Sequence, residues 1–507
     1  MLLIWTGLCD QYIVADDAYY YFTIARNAAA GLGPTFDTIA PTNGFHPLYL
    51  ILLIPVWSIG GLLSTDPWVH VHLALSLNSI IDCVTGIVLG TFLTTIVSRR
   101  AALWSVAIWS LGPWSVLLGL RGMEGPLNAL FILMFVAILV QADEEEVQRS
   151  LTWVIVGIVY GLSILTRSDN AVYLGGALLV LLLLRRSPRW RSRTLLQGGL
   201  AFGTAILVIA PWVLWNLVTF RTIFQTSALT KFVNHQIYGT LVDPRRSLVM
   251  GLFRRLGAWI WVPARYVAGG EFRESAVTLI LVVAGCGVGI ATLAAMLWQW
   301  KTGLRRGLES TICVIGTYQA LQVVVCALIV QTYATWYASF TVLAFCILLG
   351  VAAAGVTRGP GQLRVWGAVT MFILVSVTMY THFFEEMPPR ARGGEHLYDD
   401  TFEALKELTP GPHVIGAFNA GAIGFFAPHH GHYRVVNLDG LVNNRILEEW
   451  KSGRFVEYVS ETVDIVWLVS NSELDTWLSE PEKADLFRHY RPLPSVRQYQ
   501  ELLLVRR

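Results

Sequence analysis

Charge is what this sequence has least of. Only 14% of its 507 residues are Asp, Glu, Lys or Arg, while 54% are hydrophobic; a soluble domain carries about 25% charged residues. With a mean hydropathy of +0.53, the shortage excludes an ordinary soluble chain and points to a polytopic protein whose first partner is the lipid bilayer. The formal net charge of +2 says little, because charge in such a chain is informative by location, and no nucleic-acid partner is expected. Cysteine is sparse too. Five of the six (Cys83, Cys286, Cys313, Cys326 and Cys346, but not Cys9) lie in apolar runs and none in the polar C-terminal segment, which indicates neither a disulfide framework nor a zinc site. No N-x-[ST] triplet occurs, which favours a bacterial inner membrane over the endoplasmic reticulum. No internal repeat, low-complexity tract or cleavable signal peptide is evident, and the first fifteen residues are too short for a full span.

Apolar runs of membrane-spanning length are plentiful: 47–63, 69–97, 101–120, 125–141, 151–166, 171–184, 195–218, 276–298, 310–330, 337–356 and 365–381. The basic clusters "RRSPRWRSR" (185–193), "KTGLRR" (301–306) and "TRGPGQLR" (357–364) are cytoplasmic by the positive-inside rule. Parity then places 120–126, 165–170, 219–275 and 331–337 outside, with everything past 382. An acidic segment near residue 16 belongs on that face as well, yet three apparent spans separate it from Glu124. The count between 47 and 122 therefore needs one change, within 69–97 or at the "LGP" break of 111–113.

Past residue 382 lies nearly half of the chain's charge. "TFEALKEL" predicts an amphipathic helix, while "HVIGAF" and "YRVVNL" predict buried strands with polar turns. This predicts a small α/β domain over 382–507, appended to a mainly α membrane domain over 1–381 with about 11–13 spans. Within the latter, 10–46 and 219–275 are extracytoplasmic loops. Asn419, Asn437 and Asp439 are the polar groups the outer domain offers. "FNAGAIGFF" lacks the GxGxxG phosphate fingerprint, and "NLDGLVN" reads as turn chemistry.

The stretch "DDAYYYFTIARNAAAGLGPTFDTIAPTNGFHPLY" (16–49) carries the chemistry. It predicts a helix that begins at the acids and stops at Gly31-Leu32-Gly33-Pro34. Asp16 as N-cap and Asp17 as a first-turn acid would be the structural account. The functional one is that ionisable groups at the mouth of an apolar segment are expensive and usually kept for a purpose.

These residues resemble the first extracytoplasmic loop of the GT-C superfamily of membrane glycosyltransferases, nearest the bacterial branch with mycobacterial arabinofuranosyltransferases and enzymes similar to protein mannosyltransferases. "GMEGPL" (122–127) resembles that family's GMET-L, "LTRSDN" (165–170) its LxRxDG and "FRTIFQTSALTK" (220–231) its FGxxxPxSxxxK. "NAGAIGFFA" with "VVNLDGLVN" resembles the start of the outer domain in related bacterial proteins. Asn170 stands where the family has glycine, and Gln225 where proline is common.

The resemblance implies a GT-C fold and transfer of a sugar, arabinofuranose or another pentose or hexose, from a polyprenyl-phosphate donor. The acceptor would be a hydroxyl of a cell-envelope glycan, lipid or protein outside the membrane. An alcohol attacking an anomeric carbon needs a carboxylate as general base; Asp16 and Asp17 are the catalytic candidates, one as base and the other orienting. A lipid phosphate leaving group needs preorganised donors, and a carrier leaving as a monophosphate has less need of a metal, so no obligatory cofactor is expected. Candidate substrate-binding residues are Arg26, Asn27, Asn43, His46, Glu124, Arg167, Asp169, Ser227, Lys231 and Tyr337.

Most of these have a plainer alternative. Arg26 binds phosphate or pairs with Asp37; His46 meets the donor phosphate or is an interfacial histidine. Glu124 serves the site or makes a surface ion pair beside Arg121. Arg167 and Asp169 cap a helix end and snorkel there, Lys231 is solvated, and Tyr337 with Trp336 belongs to an aromatic belt. A lipid-linked oligosaccharide transferase or ligase is the nearest other enzyme. A secondary transporter would show paired hydropathy symmetry and broken midplane helices, and a scaffold would not need acids and bases gathered on one face.

Overall fold

The computed structural model describes residues 14–144, 150–184, 191–230, 306–325, 339–356, 399–468, 472–493 and 502–507. It divides into two units, Met1–Ser76 with Trp212–Arg246 and Pro389–Arg507, and Leu77–Pro211 with Ser247–Pro388. Lys231, Trp336, Tyr337 and the apolar runs 276–298 and 365–381 lie outside the described residues.

Among the described residues the apolar runs lie in helices, preceded by the helix at the acids: α1 (Asp16–Ala29), α2 (Pro47–Leu63), α3 (Pro67–Ile96), α4 (Arg99–Leu111), α5 (Pro113–Leu120), α6 (Gly125–Glu144), α7 (Ser150–Thr166), α8 (Asn170–Leu184), α9 (Arg191–Phe220), α10 (Arg306–Val325) and α11 (Ser339–Val356). Among the described residues three, at Pro67–Ile96, Gly125–Ala142 and Leu195–Phe220, are long and apolar enough to cross a bilayer. The structure corrects the single run of 101–120. Gly112 takes an extended conformation (φ −70°, ψ 133°) between α4 and α5, because the following Pro113 disfavours a helical backbone there. α4 has 13 residues, only about 20 Å of helix against a hydrocarbon core of about 30 Å. α3 runs unbroken for 30 residues, so of the two suspected places the interruption is at "LGP".

The second unit is a helical bundle around Trp109, Phe135, Trp153, Tyr173, Tyr318 and Phe340. α11 packs on α4, α10 on α8, and α6 on α7. Gly157 and Gly161 of α7, one turn apart, admit α9: a Cβ at either would meet backbone oxygens of Ala201 or Ala205. This is the small-residue route to close helix contact in a bilayer, where no hydrophobic drive separates helix from lipid.

In the first unit, α1 packs on α2 and on a helix of the C-terminal segment. That segment runs α12 (Asp399–Leu408), β1 (His413–Ala417), α13 (Gly421–His430), β2 (Tyr433–Asn437), α14 (Asn444–Lys451), α15 (Phe455–Thr462), β3 (Ile465–Leu468), α16 (Ser472–Trp477), α17 (Glu480–His489), β4 (Tyr490–Pro492) and β5 (Leu502–Arg506). The sheet order is β2-β1-β3-β5-β4. β2, β1 and β3 are parallel, with His413 opposite Tyr433 and Ile415 opposite Ile465; β5 and β4 close the other side antiparallel. Val436, Ile446, Val466, Leu486 and Leu504 are among its core. The expected strands "HVIGAF" and "YRVVNL" are β1 and β2. The order of strand addition reverses at β1, since β1 leads through α13 to β2 on one side while β3 lies on the other. In such open sheets the crevice at the carboxyl ends of the strands is the natural place for a site.

Candidate active site

α1 begins with two acids and ends with Arg26, a charge order that suits the helix dipole. Its stop is built from glycines in the left-handed region, Gly31 at φ +82° and Gly33 at φ +76°. The N-cap is Ala15, without a side-chain cap, which corrects the account of Asp16 as the cap of its own helix. The Asp16 carboxylate instead accepts the backbone N–H groups of Gly421 (3.1 Å) and Ala422 (2.8 Å) at the start of α13. This is the position after β1 where α/β proteins hold a bound anion, with N–H groups and helix dipole both favouring negative charge. A first-loop carboxylate occupies it here. Burial pushes the Asp16 carboxyl up to about 6, the two amides opposing the rise and the adjacent Asp17 charge adding to it. Asp17 follows one residue on, about 100° round the helix, and is half-buried.

One turn further along α1, the Tyr20 hydroxyl accepts from Ala420 N–H (3.0 Å) and from Asn437 Nδ2 (2.9 Å). It faces the Phe418 carbonyl (3.3 Å) and the Asp439 carboxylate (3.2 Å) as acceptors for its single proton. Burial pushes Asp439 up to about 8 against the pull of the Leu441 amide, Asn437 and Tyr20, and the Asp17 charge adds to the rise. Burial and the Asp439 charge likewise raise Tyr20 well above its ordinary value. "NLDGLVN" is thus a turn, with Gly440 at φ +82°, that also joins the carboxyl end of β2 to α1. Sequence reasoning missed Tyr20 altogether; the one signal was a polar cluster at the end of an otherwise apolar strand.

Arg26 does not pair with Asp37. Its guanidinium donates to the carbonyls of Phe425 (2.8 Å) and Gly424 (3.4 Å) and lies 5.3 Å from the Phe425 ring centroid. Asp37 instead accepts from Ile39 N–H (2.8 Å), Ala40 N–H (3.2 Å) and the Thr35 hydroxyl (3.3 Å). Asn27 donates to the Thr35 and Phe36 carbonyls, folding the loop back on the helix. Tyr19 packs on Phe425 and Phe426, with ring centroids 5.4 and 5.6 Å apart; each such pair contributes about 0.5–1.5 kcal/mol beyond its buried area.

Asn43 is fully buried. Its amide nitrogen donates to Asn216 and the Phe224 carbonyl, and its oxygen accepts from the Thr226 N–H and hydroxyl and from Asn444. Gln225, in the place of the family's proline, donates to the Phe45 carbonyl (2.7 Å) and to His46 Nδ1 (3.2 Å). An amide N–H can only donate, so the His46 proton sits on Nε2. Ser227 lies on the short helical stretch 226–230, pinned at one end by Thr226 on Asn43 and at the other by Thr230, which donates to the Gly440 carbonyl.

In the second unit Arg167 and Glu124 are paired at 2.5 Å, with side chains 5% and 1% exposed, so Glu124 is not in a surface pair and Arg167 does not snorkel. Arg167 also holds both Asp169 oxygens, at 3.2 and 2.9 Å. Asn170, in the family's glycine position, donates to Asn128 (2.7 Å) and accepts from Tyr318 (3.0 Å). The structure therefore brings together Asp16, Asp17, Arg26 and Asn27 with α13, and Asn43, His46 and Ser227 around Gln225, in the first unit. Glu124, Arg167 and Asp169 form a cluster of their own in the second. Among the described residues no three His, Cys, Asp or Glu side chains converge as a metal-ligand set.

No family model and no curated protein matches the chain by sequence. Solved structures do match. ArnT of Cupriavidus metallidurans bound to undecaprenyl phosphate superposes with a TM-score of 0.59 at 13% identity, over 99% of this chain and 96% of that one. The Archaeoglobus fulgidus oligosaccharyltransferase in complex with Zn and sulfate gives 0.56 at 12% identity, over 94% and 67%. The same organism's AglB with an inhibitory peptide and a dolichol-phosphate gives 0.53 at 14%, over 94% and 69%. At these identities the likeness is one of architecture: the chain has the GT-C fold that these membrane proteins share.

Proposed function

We propose that this protein is a membrane glycosyltransferase that moves a sugar from a polyprenyl-phosphate carrier onto a hydroxyl of a cell-envelope glycan, lipid or protein, on the outer face of a bacterial inner membrane. The division of labour within the acidic pair carries the reading. Asp16 is spent on the α13 amides, so Asp17 is the general base and Asp16 the residue that positions it. The fold of a protein crystallised with undecaprenyl phosphate supports the choice of carrier.

In the reaction the acceptor oxygen attacks the anomeric carbon, its proton passes to the Asp17 carboxylate, and the bond from that carbon to the phosphate oxygen breaks. Polyprenyl phosphate leaves with the electron pair. Asp17 lies in the first turn of α1, where the helix dipole favours negative charge. His46, with its proton on Nε2, supplies a donor for phosphate or sugar, and Ser227 is a further candidate contact in the same unit. Arg26, Asn27 and Asn43 act by holding the loop in shape.

Release of free polyprenyl phosphate by the purified protein, from a panel of polyprenyl-phosphate sugars that includes arabinofuranose, tests this. Turnover with one donor that is lost in Asp17→Asn is the expected result. A lipid-linked oligosaccharide belongs on the panel because AglB shares the fold; turnover with that donor alone would select the oligosaccharide transferase. Binding of every donor without turnover, unchanged in Asp17→Asn, would overturn the reading.

A further inference from the structure

A cavity of about 680 Å³ opens in the first unit where the 36–38 stretch of the first loop faces β2, the edge strand of the sheet. Asp16, Asp17, Tyr20 and Asp439 do not line it; Arg26, Asp37, His413, His432, Tyr433 and Arg434 do. Its size falls in the range that encloses a small organic ligand and far exceeds what a lone phosphate ion needs.

The lining is cationic. Arg26 is immobilised by two carbonyls and the Phe425 ring, and a guanidinium has more N–H donors than those carbonyls take. Burial lowers it only to about 10, so it stays charged at neutral pH. Arg434 is exposed on the edge strand, and neither arginine has a carboxylate partner among the described residues. The one acid in the lining, Asp37, has its Oδ1 held by its own wall, where it accepts from Thr35, Ile39 and Ala40, so one carboxylate stands against two guanidiniums. That turn holds Thr38 at φ +63°, a conformation a β-branched residue rarely adopts.

We propose that this cavity binds an anionic saccharide, a sugar unit bearing a carboxylate or a phosphate, as a recognition subsite for the acceptor, with Arg26 as its fixed cation and Arg434 as its gatepost. The ligand's assignment as acceptor rests on the transferase reading; the site itself does not.

The test is equilibrium binding to the full chain in detergent, without donor lipid, of a galacturonate trisaccharide, galactose 6-phosphate and a neutral galactose trisaccharide. At least one anionic probe should bind, weaken with added salt, and exceed the neutral sugar by about tenfold or more. Arg434→Gln should cost a similar factor and Arg434→Lys less. Arg491→Gln, exposed on β4 at the opposite edge, should cost nothing. Preference between the two anionic probes tells carboxylate from phosphate. Equal binding of the neutral sugar, no binding of either anion, or an unaltered Arg434→Gln overturns the proposal. Because no transfer is measured, the site can stand where the transferase reading falls, and fall where it stands.

Discussion

The carboxylate of Asp16 lies 2.8 Å from the backbone nitrogen of Ala422, 406 residues further along the chain. An acid at the start of one helix caps another, and the first loop and the C-terminal segment are fastened by that bond, by Tyr20 and by Arg26.

The two acids should separate experimentally. Asp16→Ala removes a charged acceptor from two amides and should cost about 1.5–3 kcal/mol of stability, seen as a lower melting temperature in detergent. Asp17→Asn should melt near wild type while losing about 100-fold or more in turnover. The reverse pattern would exchange their roles.

Stability should fall as pH rises. Asp16 and Asp439 have folded-state values of about 6 and about 8, above the 3.8 of a free carboxyl. Between those limits the folded protein keeps protons that the unfolded chain has released, so alkali favours unfolding. The melting temperature should drop from about pH 5 to about pH 8, and Asp439→Asn should flatten the part above about pH 6. A melting temperature that climbs over this window would contradict the burial of both groups.

Gly421 has no room for a side chain, since a Cβ there would run into the Asp16 backbone and stand 2.8 Å from its carboxylate. Gly421→Ala should therefore cost about 1–3 kcal/mol through overpacking. Thermal melting checks this, and an unchanged melting temperature would mean that α1 and α13 are less tightly joined.

Breaking the buried pair of the second unit by Glu124→Gln or Arg167→Gln should destabilise by about 3–5 kcal/mol, with the double variant less harmful than the sum. A double-mutant cycle on melting in detergent reads the coupling; strict additivity would deny it.

The apolar helices, the helix after "DD" and the first two strands were legible because each is written locally, as an apolar run, a charge order or a short buried stretch. The outward fate of the polar groups was not. Asp16 looks like a cap for its own helix, and nothing near it signals amides 405 residues away. Arg26 and Asp37 are opposite charges in one loop, and their divergence follows from backbone groups that every residue possesses. The break at Gly112 was visible as "LGP", whereas the parity that drew attention to it came from distant arginines. Strands β3 to β5 were not read at all, since "IVWL" and "LLLVR" are indistinguishable from other apolar runs until they are paired.

The bond from Asp16 to α13 also sets an order in time. At roughly 5–20 residues per second, the ribosome needs on the order of 20 to 80 s to traverse the 406 residues that separate Asp16 from Ala422. Throughout that interval Asp16, Tyr20 and Arg26 have emerged without their partners. Pulse-labelled chains should show a first loop open to protease until the C-terminal segment is complete; a loop already resistant in chains that end before Gly421 would disprove this. The segment made first is the last to be finished.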